Sequence, residues 1–393
     1  MIQMIQREQR HFSVNRPLQM GLPNGGNRRR IRSEACGIDG CHRRQEIIVN
    51  TWIRCIRSIR KFALALVTLV LVATPLHAQD ADTQAAPAPR GKPELTVDAL
   101  SVVRVRAQAA ADARSGQTLG RNREGTGVVI DSSGLVLTIG YLITEAEKVE
   151  INTADGKVYP AIVVGFDSAT GLGLLKSLVP VPVKPIDMGL SSETKERDMV
   201  LIVGFDGVAP AYVVSKRQFV GYWEYLLDEA IYTAPATVNW QGAALVSREG
   251  KLLGIGSLAV GNAIAGGAAV PGNMFVPIDV LKPVIGDFIA NGKSTMQPRP
   301  WLGITSQEVG GNLLVARVSP EGPAEEAGLK AGDIIVGIAG AGLKGQADFY
   351  TRLWKSGNAG VEILLEVLRG NRVENITVKS IDRNNYFRAR ATY

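Results

Sequence analysis

The side chains that most often move protons in enzymes are scarce in this chain. Histidine is the usual general base near neutral pH, and the 393 residues contain three, His11, His42 and His77. All three precede Ala78, so the sequence after that residue has none. Any reaction there that needs an imidazole base or a histidine metal ligand is therefore excluded.

Cysteine is confined to the same early part of the chain. Cys36 and Cys41 stand near or beside His42, which gives three candidate zinc ligands but not the four that a structural site needs. Cys55 is the only other cysteine. We predict no metal site and no cofactor, and the sequence after residue 78 has neither a disulfide nor a thiol nucleophile.

Two hydroxyl–amine pairs remain as candidates for nucleophilic chemistry. They are Ser215 with Lys216 and Ser177 with Lys176. Adjacent residues on a strand point to opposite faces, so neither pair is arranged in advance for proton transfer. An enzyme with such a pair stays open as the alternative to a protein without catalysis.

An export signal is predicted at residues 51–78. Arg54, Arg57, Arg60 and Lys61 flank the apolar run "FALALVTLVLVA", and small residues follow as far as Ala78. The run is short for a membrane span, so cleavage before Gln79 is expected, with an uncleaved anchor as the alternative. Residues 1–50 are a doubtful extension, explained by a start codon assigned too far upstream or by a real cytoplasmic segment.

Basic charge is concentrated before the predicted cleavage site. Residues 1–78 hold 13 of the 44 Lys and Arg but 4 of the 37 Asp and Glu, which leaves the remainder close to neutral. We therefore predict no nucleic-acid partner. A periplasmic protein without a stable membrane span is expected after cleavage.

The organisation of the exported part follows from its periodicity. An Ala/Pro-rich tether occupies residues 79–98, and short strands separated by turn residues fill 99–293. Val103 and Val105 alternate with arginines, and glycines follow Asp155 and Glu249 where hairpins are expected. Residues 299–381 have an α+β rhythm, and 382–393 are a tail.

The second unit resembles a bacterial PDZ domain. The resemblance rests on "WLGI" at 301–304 and on "SPEGPAEEAGLKAGDIIVGIAG" at 319–340. It implies that C-terminal or unfolded peptides bind at Trp301, Leu302, Gly303 and Ile304. Phe349 and Leu353, four residues apart on a predicted helix, are the pocket candidates. A PDZ unit that serves only as an internal brace is the other interpretation.

The whole exported chain resembles the HtrA/Deg family of envelope serine proteases. The segments that carry this are "GTGVVIDSSGLVLTIGYLI", "DGKVYPAIVVGFDSATGLGLLKS", "AALVSREGKLLGIGS" and "FVPIDVLKPVI". The resemblance covers about residues 100 to 381. It implies a mainly β fold, with a chymotrypsin/trypsin-like double β-barrel followed by the PDZ domain.

This resemblance also implies where a Ser-His-Asp triad would stand. The counterparts of histidine, aspartate and serine are Tyr141, Gly171 and Gln241, so all three are replaced. Trp240 is expected to plug the cleft, and Gly242 to keep a remnant of the oxyanion hole.

The expected function is that of an inactive protease homologue that holds peptides or partner proteins in the envelope. The alternative is an active serine-type endopeptidase of envelope protein quality control that uses a non-standard site. The family resemblance implies homo-trimers or hetero-oligomers with an active relative. The aromatic segment 219–227 suits a subunit contact, a cover over the former cleft, or plain core packing.

Overall fold

The computed structural model describes residues 100–266, 269–292 and 297–387. The predicted signal, its cleavage site at Ala78, the extension before it and the tether lie outside these residues. So do the last residues of the predicted tail. Within the described ranges, no helix is both long and apolar enough to cross a bilayer.

Two closed six-stranded β-barrels form the first part of the described chain. In the first strand, Val103 and Val105 are fully buried while Arg106 is exposed, as the alternation predicts. The hairpin turns predicted after Asp155 and Glu249 contain Gly156 and Gly250 at positive φ. Closure of each barrel pairs its outer strands and leaves no free edge.

The strands of the first barrel pair in the order β1-β2-β3-β6-β5-β4, and those of the second in the order β10-β11-β12-β9-β8-β7. The first six are β1 Val102–Ala109, β2 Asn122–Val129, β3 Leu135–Ile139, β4 Ala146–Asn152, β5 Val158–Phe166 and β6 Leu172–Ser177. The next six are β7 Met199–Gly204, β8 Gly207–Gly221, β9 Tyr225–Ala234, β10 Ala244–Val246, β11 Leu252–Val260 and β12 Gly272–Pro277.

A second sheet follows the barrels and has the order β14-β15-β16-β18-β19. Its strand β14 lies at the edge, and the two-stranded β13-β20 ladder lies beside it. The strands are β13 Pro300–Trp301, β14 Ile304–Val309, β15 Asn312–Val318, β16 Ile334–Ile338, β17 Ala341–Gly342, β18 Glu362–Arg369, β19 Arg372–Lys379 and β20 Ile381–Asp382.

Helices are few and short, in keeping with a mainly β fold. They are α1 Gly116–Leu119, α2 Gly140–Ile143, α3 Ile285–Asn291, α4 Pro323–Glu326, α5 Gln346–Lys355 and α6 Arg383–Tyr386, with 3-10 turns at Ser191–Glu193 and Ile278–Val280. The predicted double barrel followed by an α+β unit is confirmed.

The start of the predicted tail, residues 383–387, packs against the rest of the described chain. The Tyr386 hydroxyl donates to the Pro320 carbonyl at 2.9 Å. Arg114 of the first barrel donates to the Tyr386 carbonyl at 3.0 Å. The Tyr386 ring lies 4.7 Å from that of Trp301. Burial of these rings fixes helix α6 against both parts of the chain.

Candidate functional site

The three positions that correspond to a protease triad lie around one cavity. Tyr141 is in helix α2 after β3, Gly171 directly precedes β6, and Gln241 lies in the loop before β10. All three line a cavity of about 570 Å³, together with Trp240. The barrels therefore bring together the residues that the resemblance singles out, but with side chains that cannot form a triad.

The hydrogen bond and the burial of the Tyr141 hydroxyl prevent it from acting as a general base. Its hydroxyl donates to the Ser257 carbonyl at 3.1 Å. Burial raises the pKa of Tyr141 above the ordinary value for a phenol. A base that works at neutral pH needs a pKa near that pH, so this phenol cannot take a proton from a nucleophile.

The space that an aspartate would need at position 171 is taken by Tyr225. Gly171 has φ +80°, and a Cβ added there would lie 2.9 Å from the Tyr225 hydroxyl. That hydroxyl donates to the Thr170 carbonyl at 2.6 Å, which fixes it against the turn. A carboxylate at this point would have to displace a buried tyrosine.

The loop around Gln241 is held by backbone hydrogen bonds. The Gln241 carbonyl accepts from the Thr126 N–H at 2.8 Å, and the Gly242 N–H donates to the Gly256 carbonyl at 2.9 Å. The predicted oxyanion remnant at Gly242 is therefore corrected. The Gly242 N–H is bonded to a carbonyl of strand β11, and an N–H bonded in this way cannot also bind a developing oxyanion.

Trp240 lies in the wall of the cavity rather than across the whole of it. Its side chain is buried, yet the cavity that it lines keeps its volume of about 570 Å³. Other rings line the same cavity, among them Tyr141, Tyr222 and Trp223. The cavity around positions 141, 171 and 241 is thus lined by aromatic rings, with the Trp240 indole among them.

The two hydroxyl–amine pairs are engaged with other partners. The Lys176 ammonium lies 2.7 Å from the Ser133 hydroxyl. Ser177 donates to the carbonyl two residues further on, at 2.7 Å. On β8, the Lys216 ammonium lies 3.4 Å from the Glu229 carboxylate. Neither lysine is bonded to its neighbouring serine, so neither pair supplies an activated nucleophile.

A carboxylate from the second barrel occupies the predicted carboxylate-binding loop. The N–H groups of Gly303 and Ile304 donate to Glu224 Oε1 at 2.7 and 2.8 Å. The N–H of Leu302 donates to its Oε2 at 2.8 Å. The predicted loop residues thus bind a carboxylate, and that carboxylate belongs to the chain itself.

Glu224 ends the three-residue loop Tyr222–Glu224 between β8 and β9, which we term the 222–224 loop. Gly221 pairs with Tyr225 across its base. The Ser306 N–H of edge strand β14 donates to the Tyr222 carbonyl at 2.9 Å. The loop therefore lies along β14, where a PDZ domain adds a peptide strand.

Helix α5 holds the other side of the 222–224 loop. The Tyr350 hydroxyl donates to the Gly221 carbonyl at 2.9 Å and accepts from the Glu224 N–H at 3.1 Å. The Gln346 amide donates to the Tyr350 hydroxyl at 2.9 Å, one helical turn away. Arg383 of α6 donates to the Trp223 carbonyl at 3.3 Å. The 222–224 loop is thus hydrogen-bonded to α5, to α6 and to strand β14.

The other predicted groove residues lie deeper than a free pocket would place them. Phe349 and Leu353 are fully buried in the core of the second unit. Leu226 of β9 packs in the same apolar cluster and is 8% exposed. Trp301 lines the aromatic cavity instead. The apolar pocket beside α5 is therefore also occupied from the second barrel.

Burial dominates the electrostatics of Glu224, whose side chain lies in the interior. Burial raises the pKa of Glu224 to about 7, against the opposing pull of the three N–H donors and of Arg383. Burial lowers the pKa of Arg383, while Glu224, Tyr350 and Tyr225 oppose that shift. A charged carboxylate is thus costly here, and its donors offset only part of that cost.

Sequence reasoning missed Glu224 although one local signal was present. In a three-residue hairpin loop the last residue commonly adopts the left-handed conformation, for which glycine is best suited. Glu224 has φ +55° in this position. A glutamate where glycine fits best indicates that the side chain is kept for its contacts.

Two family profiles match the chain. The profile described as a trypsin-like peptidase domain matches residues 125–255. The profile described as a PDZ domain matches residues 300–380. The first match falls within the two barrels, and the second covers the sheet that contains β14 and helix α5.

Several curated relatives are similar to about two thirds of the chain. A Synechocystis protein named as the serine protease HhoA is 27% identical, over 67% of this chain and 71% of its own. A Pseudomonas putida protein named as a DegP-like periplasmic serine endoprotease is 28% identical, over 65% of this chain and 55% of its own. The Arabidopsis thaliana protein "Protease Do-like 1, chloroplastic" is 27% identical, over 65% and 62%.

The chain spans less than two thirds of the length of the last two relatives. Among solved structures, the serine endoprotease from Yersinia pestis is 22% identical. That match covers 72% of this chain and 94% of the other, with a TM-score of 0.45.

We predict that Gly242→Ala destabilises the protein far more than Gly250→Ala. Both glycines have similar positive φ, +72° and +77°, so each alanine costs about 1–2 kcal/mol of backbone strain. A Cβ at 242 would lie 2.1 Å from the Thr126 carbonyl oxygen, whereas nothing lies within 4 Å at 250. Urea unfolding should show an additional loss on the order of 2 kcal/mol for Gly242→Ala. Equal losses would contradict the close approach.

Proposed function

Because this chain is an HtrA/DegP-like protein with a trypsin-like domain followed by a C-terminal PDZ domain, we propose that it is a proteolytically inactive homologue that binds peptides. In this proposal the double barrel is a scaffold, and the PDZ unit recognises C-terminal or unfolded peptides. The protein acts as a regulatory or chaperone-like component of the bacterial envelope.

The observation that carries the proposal is the set of side chains around the cavity. Tyr141 donates a hydrogen bond to the Ser257 carbonyl, Gly171 has no side chain, and Gln241 has an amide in place of a hydroxyl. No histidine follows residue 77 that could replace the base. Acyl transfer needs a nucleophile, a base and an orienting group together, and positions 141, 171 and 241 supply none of them.

The names of the relatives favour a second candidate, an active serine endopeptidase with a non-standard site. Lys176 and Lys216 supply the only amines adjacent to the serines that we singled out, and both are bonded elsewhere. This arrangement favours the inactive protein over that candidate. A direct assay separates the two.

We predict no labelling of the protein by a fluorophosphonate serine probe and no turnover of casein. An active relative of the same family serves as the positive control. Labelling of a single serine that disappears in Ser177→Ala or Ser215→Ala would favour the non-standard enzyme and overturn the inactive one. Without an activated hydroxyl, the expected rate is that of the buffer.

Peptide binding by the PDZ unit depends on a free terminal carboxylate in this proposal, since the N–H groups of Leu302, Gly303 and Ile304 converge on one carboxylate. We predict by calorimetry that peptides with an apolar C-terminal residue bind the chain from Gln79 onward. Amidation of the terminus should weaken binding by roughly tenfold or more, as for a lost charge-assisted hydrogen bond. Equal affinities for acid and amide would contradict the role of this loop.

Export to the periplasm is also part of the proposal, supported by the apolar run before Ala78 and by the periplasmic naming of DegP-like relatives. We predict an N-terminus close to Gln79 when the protein from its native envelope is analysed by mass spectrometry. An N-terminus at Met1 would contradict cleavage. In light scattering, a homo-trimer should appear at three times the monomer mass, and a mixed oligomer with an active relative at the sum of its subunit masses.

A further inference from the structure

The carboxylate-binding loop of the PDZ unit is already filled. The carboxylate of Glu224 accepts three backbone N–H bonds of 2.7 to 2.8 Å, from Leu302, Gly303 and Ile304. Glu224 is 5% exposed, so these donors are not shared with water. A peptide that needs the same donors cannot bind while this carboxylate remains.

The backbone around Glu224 is bound in the way that a peptide would be. The Tyr222 carbonyl accepts from edge strand β14 through the Ser306 N–H, and the Trp223 carbonyl accepts from Arg383. The Glu224 N–H donates to Tyr350 of α5. Main-chain bonds to an edge strand, a carboxylate in the loop and apolar side chains on the core are the elements of strand addition.

The loop conformation provides a second, independent observation. Glu224 has φ +55°, which costs a residue with a Cβ of the order of 1 kcal/mol relative to glycine. A glycine would close this three-residue hairpin at lower cost. The chain bears this strain at the one residue of the loop whose side chain reaches the three donors.

We propose that the 222–224 loop is an internal ligand of the PDZ groove, and that it must leave the groove before a peptide with a free C-terminus can bind. The inference rests on the proposed function, because it describes how that same peptide site is regulated. The partner that it selects is a chain end with an ionised carboxylate and an apolar last side chain. Such an end matches the positions now taken by Glu224 and Leu226.

Occupation by the chain itself reduces the apparent affinity for outside peptides. The measured dissociation constant equals the intrinsic constant divided by the fraction of molecules with an open groove. A loop that is docked in nine molecules out of ten therefore weakens binding about tenfold. Removal of the internal ligand should restore the intrinsic affinity.

The charge state of Glu224 gives this competition a pH dependence with a definite sign. Burial raises the pKa of the docked carboxyl to about 7, whereas a released Glu224 has an ordinary pKa of about 4.3. Its charge interacts with Arg383 of α6 and Tyr350 of α5, and Tyr225 of its own hairpin and Arg299 line the same small cavity. Protonation of Glu224 therefore stabilises the docked loop fully below about pH 4.3, and this stabilisation is lost as the pH rises through about 7.

The test compares Glu224→Gly with the wild-type chain from Gln79 onward. Glycine keeps the hairpin, because it suits the positive φ, and it removes the side chain with its carboxylate. Asp228→Ala is the matched control, since Asp228 is an exposed carboxylate on the next strand of the same hairpin. Hydrogen exchange of segment 302–306 without peptide, followed by mass spectrometry, reports on the groove independently of any ligand.

We expect Glu224→Gly to speed exchange of segment 302–306 at least tenfold, because three donors lose their acceptor. We expect it to bind an acid-terminated apolar peptide roughly tenfold more tightly than wild type. Asp228→Ala should behave like wild type in both measurements. Wild-type affinity should increase from pH 5 to pH 8, and Glu224→Gly should lose most of that increase.

Two outcomes would overturn the internal ligand. One is exchange of segment 302–306 that is equal in wild type and Glu224→Gly. The other is equal peptide affinity in the two proteins, which would leave the proposed peptide binding intact. Faster exchange in Glu224→Gly with no binding of any peptide by either protein would support the internal ligand and contradict the proposed function.

Discussion

The arrangement of the described chain depends on three backbone N–H groups and one carboxylate. Buried donors without an acceptor are costly, and the loop at 302–304 points all three at one place. Glu224 satisfies them from the second barrel. This contact joins edge strand β14 to the second barrel. Arg383 of α6 donates to the Trp223 carbonyl of the 222–224 loop. The groove is thus closed by a residue whose own charge is poorly solvated.

The β8–β9 hairpin contributes residues to both the aromatic cavity and the PDZ groove. Trp223 of the 222–224 loop lines the aromatic cavity and stacks on Tyr225 at 5.7 Å. The Tyr225 hydroxyl bonds to the Thr170 carbonyl next to Gly171. Tyr225, whose hydroxyl lies beside Gly171, is therefore held by the same hairpin whose Glu224 binds the N–H groups of residues 302–304.

Periodicity and turn residues predicted a β unit followed by a smaller α+β unit, whereas the double barrel was predicted from the family resemblance. The alternation at Val103 and Val105, the hairpin glycines and the helix from Gln346 are local features, and each determines its own element. The position of Glu224 was not predictable in this way, since its partner Gly303 lies 79 residues further along the chain. The donor of Gly242 was misjudged for a similar reason, because its acceptor belongs to the neighbouring strand β11.

The shared hairpin has a thermodynamic consequence for two sites that lie in different parts of the chain. A molecule that fits the aromatic cavity only while Trp223 is docked adds its binding free energy to the closed groove. By linkage, a peptide in the groove must then weaken that molecule by the same factor by which the molecule weakens the peptide. These two factors are equal whatever the structural route between the sites. A molecule in the aromatic cavity and a chain end in the groove would therefore act as mutual antagonists.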